Sequence, residues 1–146
     1  MTATHFHLLA NHLPIVMLCI AFGLFVYSFF ARMWDARRIA LALFVGSAIT
    51  LVPVYFTGED AEHYVEEAIS EVSHKQIHEH EESAEVSFIL VLVLGLFSLV
   101  HLIWKPLHPI WTILLLVISI VSLVSVLHTG YEGGRIRHTE VYLHNH

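Results

Sequence analysis

The chain has 146 residues, 56% of them hydrophobic and 14% charged, with a formal charge of −6. A composition this apolar excludes an ordinary soluble domain and indicates a membrane protein. The acidic balance provides no basic patch to neutralise phosphates, so no nucleic-acid partner is expected, and the single cysteine, Cys19, can form no internal disulfide.

Four long uncharged runs stand out, at 13–31, 39–58, 86–104 and 110–128. Each is close to the roughly 20 residues a helix needs to cross about 30 Å of hydrocarbon. The predicted fold is all-α: a polytopic four-helix bundle with spans at about 12–31, 39–58, 84–104 and 110–129, forming a single domain over 1–146. The opening "MTATHFHLLANH" has no basic n-region and leads into a span-length run, so a cleaved signal peptide is not expected.

In the first span Asn11 is the expected N-cap, with Pro14 in the first turn and His12 at the mouth. Val16, Cys19, Gly23 and Tyr27 form a small, more polar stripe expected to face the bundle interior, with Cys19 as a small core residue. The second span carries Ser47, Thr50, Val54 and Thr57 on one side, again an interior pattern. The following loop, 59–83, repeats Ala61, Tyr64, Val65, Ala68, Ile69 and Val72 at three and four residues between glutamates, which predicts an amphipathic surface helix. Ser73 and Gln76 have capping-box spacing, so the third helix is expected to begin near His74 and run about 45 Å to Trp104. On it His74, His78, Glu81 and Glu85 share one face, while His80, Ala84 and Ser87 share another. The fourth span carries Ser122, Ser125, His128 and Thr129 on one side. Gly130, Gly133 and Gly134 are expected to end it and turn an outer tail, 130–146, back over the bundle so that His138 approaches the other histidines.

Arg32, Arg37, Arg38 and Lys105 lie in the two connections on one side, against Lys75, Arg135 and Arg137 on the other. The positive-inside tendency makes the first side cytoplasmic and puts both termini outside. The outer side then holds twelve of the thirteen acidic residues and eleven of the thirteen histidines. The expected location is a bacterial inner (cytoplasmic) membrane, with the His/Glu-rich face periplasmic.

Four helix ends carrying imidazoles and carboxylates therefore meet in one layer. Imidazole serves Zn, Cu and Fe, including heme iron, while added carboxylate suits non-heme Fe, Zn or Mn. The potential metal ligands are His7, His12, Glu59, Glu62, His78, His80, Glu81 and His138; for a heme they are His12, His80, His128 and His138, with Arg135 and Arg137 for the propionates. A solvated polar collar would account for any one of these histidines taken alone. His101 and His108, on the opposite side, are expected to be interfacial.

"HLLANHLPI", in which His7 and His12 precede Pro14, resembles the opening of a bacterial four-helix membrane family known as predicted membrane proteins of unknown function. That family also has a histidine at the start of the third span, as "HEHEESA" has with His78 and His80, and a Gly-Gly motif followed by His, as in "GGRIRH". A subgroup resembles this chain in "TGE", "HEE" and "GGxIRHxE", which singles out Glu59, His80, Glu81, Glu82, His138 and Glu140. The chain departs from the pattern at Leu8, where the family often has proline, and in its long acidic loop. Members sometimes occur joined to cytochrome c-like or other redox modules, so the resemblance implies a redox setting and carries no catalytic activity.

Three functions follow as expectations. The first is a b-type heme protein ligated by His12 and His80, or by His128 or His138 in place of either, passing electrons at the outer face to a redox partner protein or quinone. No C-x-x-C-H motif exists for covalent attachment. The second is a non-heme Fe, Zn, Cu or Mn site built from His and Glu, and the third a cofactor-free membrane subunit. The bilayer is the partner common to all three, and association of the chain into a homo-oligomer fits each.

Overall fold

A computed structural model describes residues 10–58, 74–104 and 109–137, with side chains for 10–58, 76–104 and 109–135. The architecture is all-α. Four helices, α1 (His12–Ala31), α2 (Trp34–Phe56), α3 (His74–Trp104) and α4 (Pro109–Arg137), account for almost every described residue. Each is long and apolar enough to cross a membrane, and the chain reads as a multi-pass membrane protein. The surface helix expected within 59–73 lies outside the described residues.

The apolar periodicity explains how the helices pack. Buried or half-buried positions on α3 recur at 77, 80, 84, 87, 91, 94, 98 and 101, alternating steps of three and four. On α1 they are Pro14, Leu18, Ala21, Phe25 and Ser28, and on α4 they include Leu115, Ser119, Ser122 and Val126. That 3.5-residue repeat is the seam of a left-handed bundle, where a side chain from one helix fills a hole in the next. Consecutive helices pack along their lengths, α1 on α2, α2 on α3 and α3 on α4, while α4 meets α1 only sparsely; α1 and α3 are thus the diagonal pair. Phe25 and Phe44 meet edge to face at 5.8 Å in the middle, surrounded by Leu18, Leu41, Val91, Leu94 and Leu115. Only 22–33% of each span is buried in the bundle, so the remaining surface, rich in Leu, Ile, Val and Phe, is left to face lipid.

The helices depart from the sequence pattern at several points. The α1 stripe of Val16, Cys19, Gly23 and Tyr27 is exposed, not interior. It lies about two residues, or roughly 200°, from the true seam, whose small members Pro14, Ala21 and Ser28 alternate with Leu18 and Phe25. Asn11 does not cap α1: its backbone is already helical (φ −60°, ψ −26°) and its side chain makes no capping bond. Helix α2 starts five residues before its apolar run, because Arg32 adopts a left-handed conformation (φ 53°, ψ 33°) and Met33 an extended one, reversing the chain in two residues. Helix α4 does not stop at its glycines. It runs through Gly130, Gly133 and Gly134 to Arg137, and no glycine among the described residues has positive φ, so the turn-back at 130 is replaced by two further helical turns.

Small residues set the closest approaches. A Cβ placed on Gly95 would lie 2.5 Å from the Cβ of Ala48, so α2 and α3 touch nearly backbone to backbone. Ser47 donates to the carbonyl of Pro14 at 2.9 Å, tying α2 to α1. We expect Gly95→Ala to destabilise the bundle by about 1–3 kcal/mol through overpacking, and Ala48→Gly in the same chain to restore most of the loss. Equilibrium unfolding in mixed micelles measures both; a Gly95→Ala protein as stable as the parent would show that α2 and α3 do not meet there.

Candidate functional site at the histidine-rich end

The seam repeat carries α3 past the apolar zone into its polar end, and there it separates two kinds of side chain. His78, Glu81, Glu82 and Glu85 point outward and are exposed. His78 contacts Glu81 at 3.8 Å (Nδ1) and Glu82 at 3.4 Å (Nε2), solvent-facing contacts of a kind that contributes little. His80, Ser83, Ala84 and Ser87 turn toward the neighbouring helices.

Opposite them, the last turns of α4 present Ser125, Thr129, Glu132 and Gly133. Ser87 Oγ lies 2.7 Å from Ser125 Oγ and 2.8 Å from Thr129 Oγ1, and Thr129 donates to the carbonyl of Ser83 at 2.9 Å or of Ser125 at 3.1 Å. With the Thr129 proton on the Ser83 carbonyl, Ser87 donates to Thr129 and accepts from Ser125, so the two inner hydroxyls each have one donor and one acceptor role. Lower on the same seam Ser122 donates to the carbonyl of Leu90 at 3.3 Å. Away from water, these bonds take the place of a hydrophobic drive between α3 and α4.

The ladder ends on a carboxylate. Glu132, its side chain only 15% exposed, accepts from the Ser83 hydroxyl and lies 3.1 Å from Nε2 of His128. One residue on, a Cβ at Gly133 would come within 3.1 Å of Cε1 of His80, so the imidazole lies directly against the α4 backbone. Here glycine provides space, not a turn. On the other wall of α3, Tyr55 of α2 stacks on Phe88 at 4.2 Å with the rings 9° from parallel.

The predicted site residues thus separate. His80 and His128 come to one level of the α3–α4 seam, His128 with its ring largely outside, while His78 and Glu81 occupy a different face of α3. His12 is exposed at the start of α1, diagonal to α3. Arg135 lies 5.9 Å over the ring of Tyr131. His7, Glu59, Glu62 and His138, with the side chain of Arg137, lie outside the described residues. Among the described residues no three His, Cys, Asp or Glu side chains form a group that could hold a metal ion. Glu132, which belongs to the His/Glu layer in the sequence but not to the predicted ligand set, has its signal in its spacing: it follows His128 by four residues and Ser125 by seven, on the polar stripe of α4.

No protein-family model, curated protein or solved structure matches the chain.

Ser87→Ala and Thr129→Val should each destabilise the α3–α4 pairing by about 0.6–1.7 kcal/mol, and the double variant by less than the sum, because both remove the same bond. A double-mutant cycle from unfolding in mixed micelles checks this; strict additivity would break the hydroxyl chain into independent contacts.

Proposed function

We propose that the chain is a small multi-pass protein of a bacterial cytoplasmic membrane whose histidine-rich end faces the periplasm and holds a non-heme metal ion. The observation that carries this reading is the environment of Glu132. A carboxylate held by Ser83 and His128, one residue from the glycine against which His80 rests, puts oxygen and imidazole donors at one level of two adjacent helices. That mixture suits iron, zinc or manganese. Glu132 and His128 are in direct contact, and with His80 they do not by themselves form a group that could hold a metal, so the reading requires further donors to close a shell. His138 follows the last described residue directly, and Glu59 follows Gly58, so these are the donors the sequence puts nearest to complete it. The hydroxyl of Ser83 then acts as an outer partner that orients the carboxylate.

A second reading, a b-type heme between His12 and His80, is favoured by the helix order. α1 and α3 are the diagonal, parallel pair, and both histidines stand at the same end of it. In either reading the centre is reachable from outside by a redox partner protein or a quinone, and its activity is electron transfer.

The deciding measurement is metal analysis of the detergent-purified protein together with its oxidised and dithionite-reduced absorption spectra. We expect a stoichiometric metal without a Soret band, lost in Glu132→Gln and His128→Ala and retained in His78→Ala. Ser83→Ala should weaken metal binding about 10–100-fold, and Gly133→Val, which displaces the His80 ring, should remove the metal while the helices stay folded. A Soret band that disappears in His12→Ala or His80→Ala would replace this reading with the heme. Protein purified after metal and heme supplementation with neither signal would exclude both.

A further inference from the structure

The opposite end of the bundle carries different chemistry. At the α1–α2 corner a cleft of about 280 Å³ is lined by Ser28, Phe29, Arg32, Met33, Trp34 and Arg37. Arg37 is half-buried, and its guanidinium sits between two aromatic rings, 4.6 Å from the centre of Phe29 and 5.1 Å from that of Trp34. Among the described residues its guanidinium makes one hydrogen bond, Nε donating to Ser28 Oγ at 3.4 Å. Neither Arg37 nor Arg32 has a carboxylate partner among the described residues, and the nearby acid, Asp35, lines a separate cleft with Arg38. On the inner side His101 is 6% exposed, its Nδ1 has no hydrogen-bond partner among the described residues, and it lies within electrostatic reach of Arg37.

A surface arginine at a membrane boundary needs only water, and Arg38, which is exposed, is of that kind. Arg37 differs. A cation taken partly out of water beside a buried serine and between two rings gains when an anion meets it. The left-handed turn at Arg32 brings a second guanidinium-bearing residue to the same cleft, and the remaining walls are apolar: Phe29, Met33 and Trp34. We propose that this cleft binds the phosphate headgroup of an anionic phospholipid, the two arginines taking the phosphate oxygens and the aromatic walls the start of the acyl chains. A phospholipid answers both features, because its charge matches the arginines and its tail continues along Phe30 and Trp34, which face outward at the end of the apolar zone.

The test uses a chain with Trp34 as its one tryptophan (Trp104→Phe, Trp111→Phe) in phosphatidylcholine vesicles. Quenching by brominated phosphatidylglycerol is compared with quenching by brominated phosphatidylcholine. We expect Trp34 to report an affinity about fivefold or more higher for the anionic lipid, falling about fivefold on removal of one arginine. Two substitutions make that removal, Arg37→Gln and Arg32→Asn. Asparagine tolerates the left-handed backbone at position 32, so Arg32→Asn decides the matter if Arg37→Gln fails to fold. Millimolar inorganic phosphate should leave the preference unchanged. Equal quenching by the two lipids, a preference that survives both substitutions, or displacement by inorganic phosphate, which would make the ligand a free anion, each overturns the proposal.

Discussion

Inside a bilayer the helices of this protein gain nothing by hiding apolar side chains from one another, because lipid is as apolar as leucine. What remains to hold them is close contact and hydrogen bonding, and the chain places each on the 3.5-residue seam. Contact is made where the seam meets small residues, as at Gly95 and Ala48, and bonding where it meets hydroxyls, as at Ser47 against Pro14 and Ser87 against Ser125 and Thr129. The seam of α3 also fixes what happens at the ends. Continued outward from its apolar middle, the same repeat that buries Val91 and Leu94 reaches His80 at one end and His101 at the other. The inward position of both histidines follows from packing registered in the membrane, not from local preference at the helix termini.

The parts of the fold legible in the sequence were those with a strong, single physical cause. Four uncharged runs of span length have no stable alternative to helices in lipid, because every backbone polar group must be satisfied within the segment. The hydroxyl stripes of α2 and α4 were readable for a similar reason: Ser47, Thr50, Ser122 and Ser125 need partners that lipid cannot give. The α1 stripe was misread because Gly23 and Cys19 carry no such need. Small size alone does not turn a residue inward, and the interior of α1 was decided by how Leu18 and Phe25 interlock with Phe44.

The glycines of α4 show the other limit. Gly130, Gly133 and Gly134 carry a strong local signal for helix termination, yet the helix continues because α3 runs beside it and supplies His80 and Ser83 as neighbours. Gly133 is used for the space it leaves, which depends on the register of α3 against α4, and no single-helix pattern contains that. The importance of Glu132 was hidden for the same reason. In sequence it is one of thirteen acidic residues; its spacing from His128 is visible on α4 alone, but only the pairing of α3 with α4 brings Ser83 to it.

The helix order gives these two ends different mechanical settings. Three of the four neighbouring pairs are packed along their length, while α1 and α4 meet sparsely, so the bundle is a closed ring with one loose seam. At the histidine-rich end that seam lies between α1, begun by His12, and α4, whose Glu132 is tied to α3 through Ser83. A group entering between these helices would displace few packing contacts, whereas entry between α3 and α4 would break the hydroxyl ladder. The α1–α2 corner is the opposite case, because a two-residue turn and the Ser28–Arg37 bond hold it together. Its cleft is therefore set by the backbone geometry of Arg32 and Met33 and keeps its shape whatever the loose seam does. One end of the molecule thus has a seam that could adjust to an entering group, while the shape of the other is set in advance by the chain.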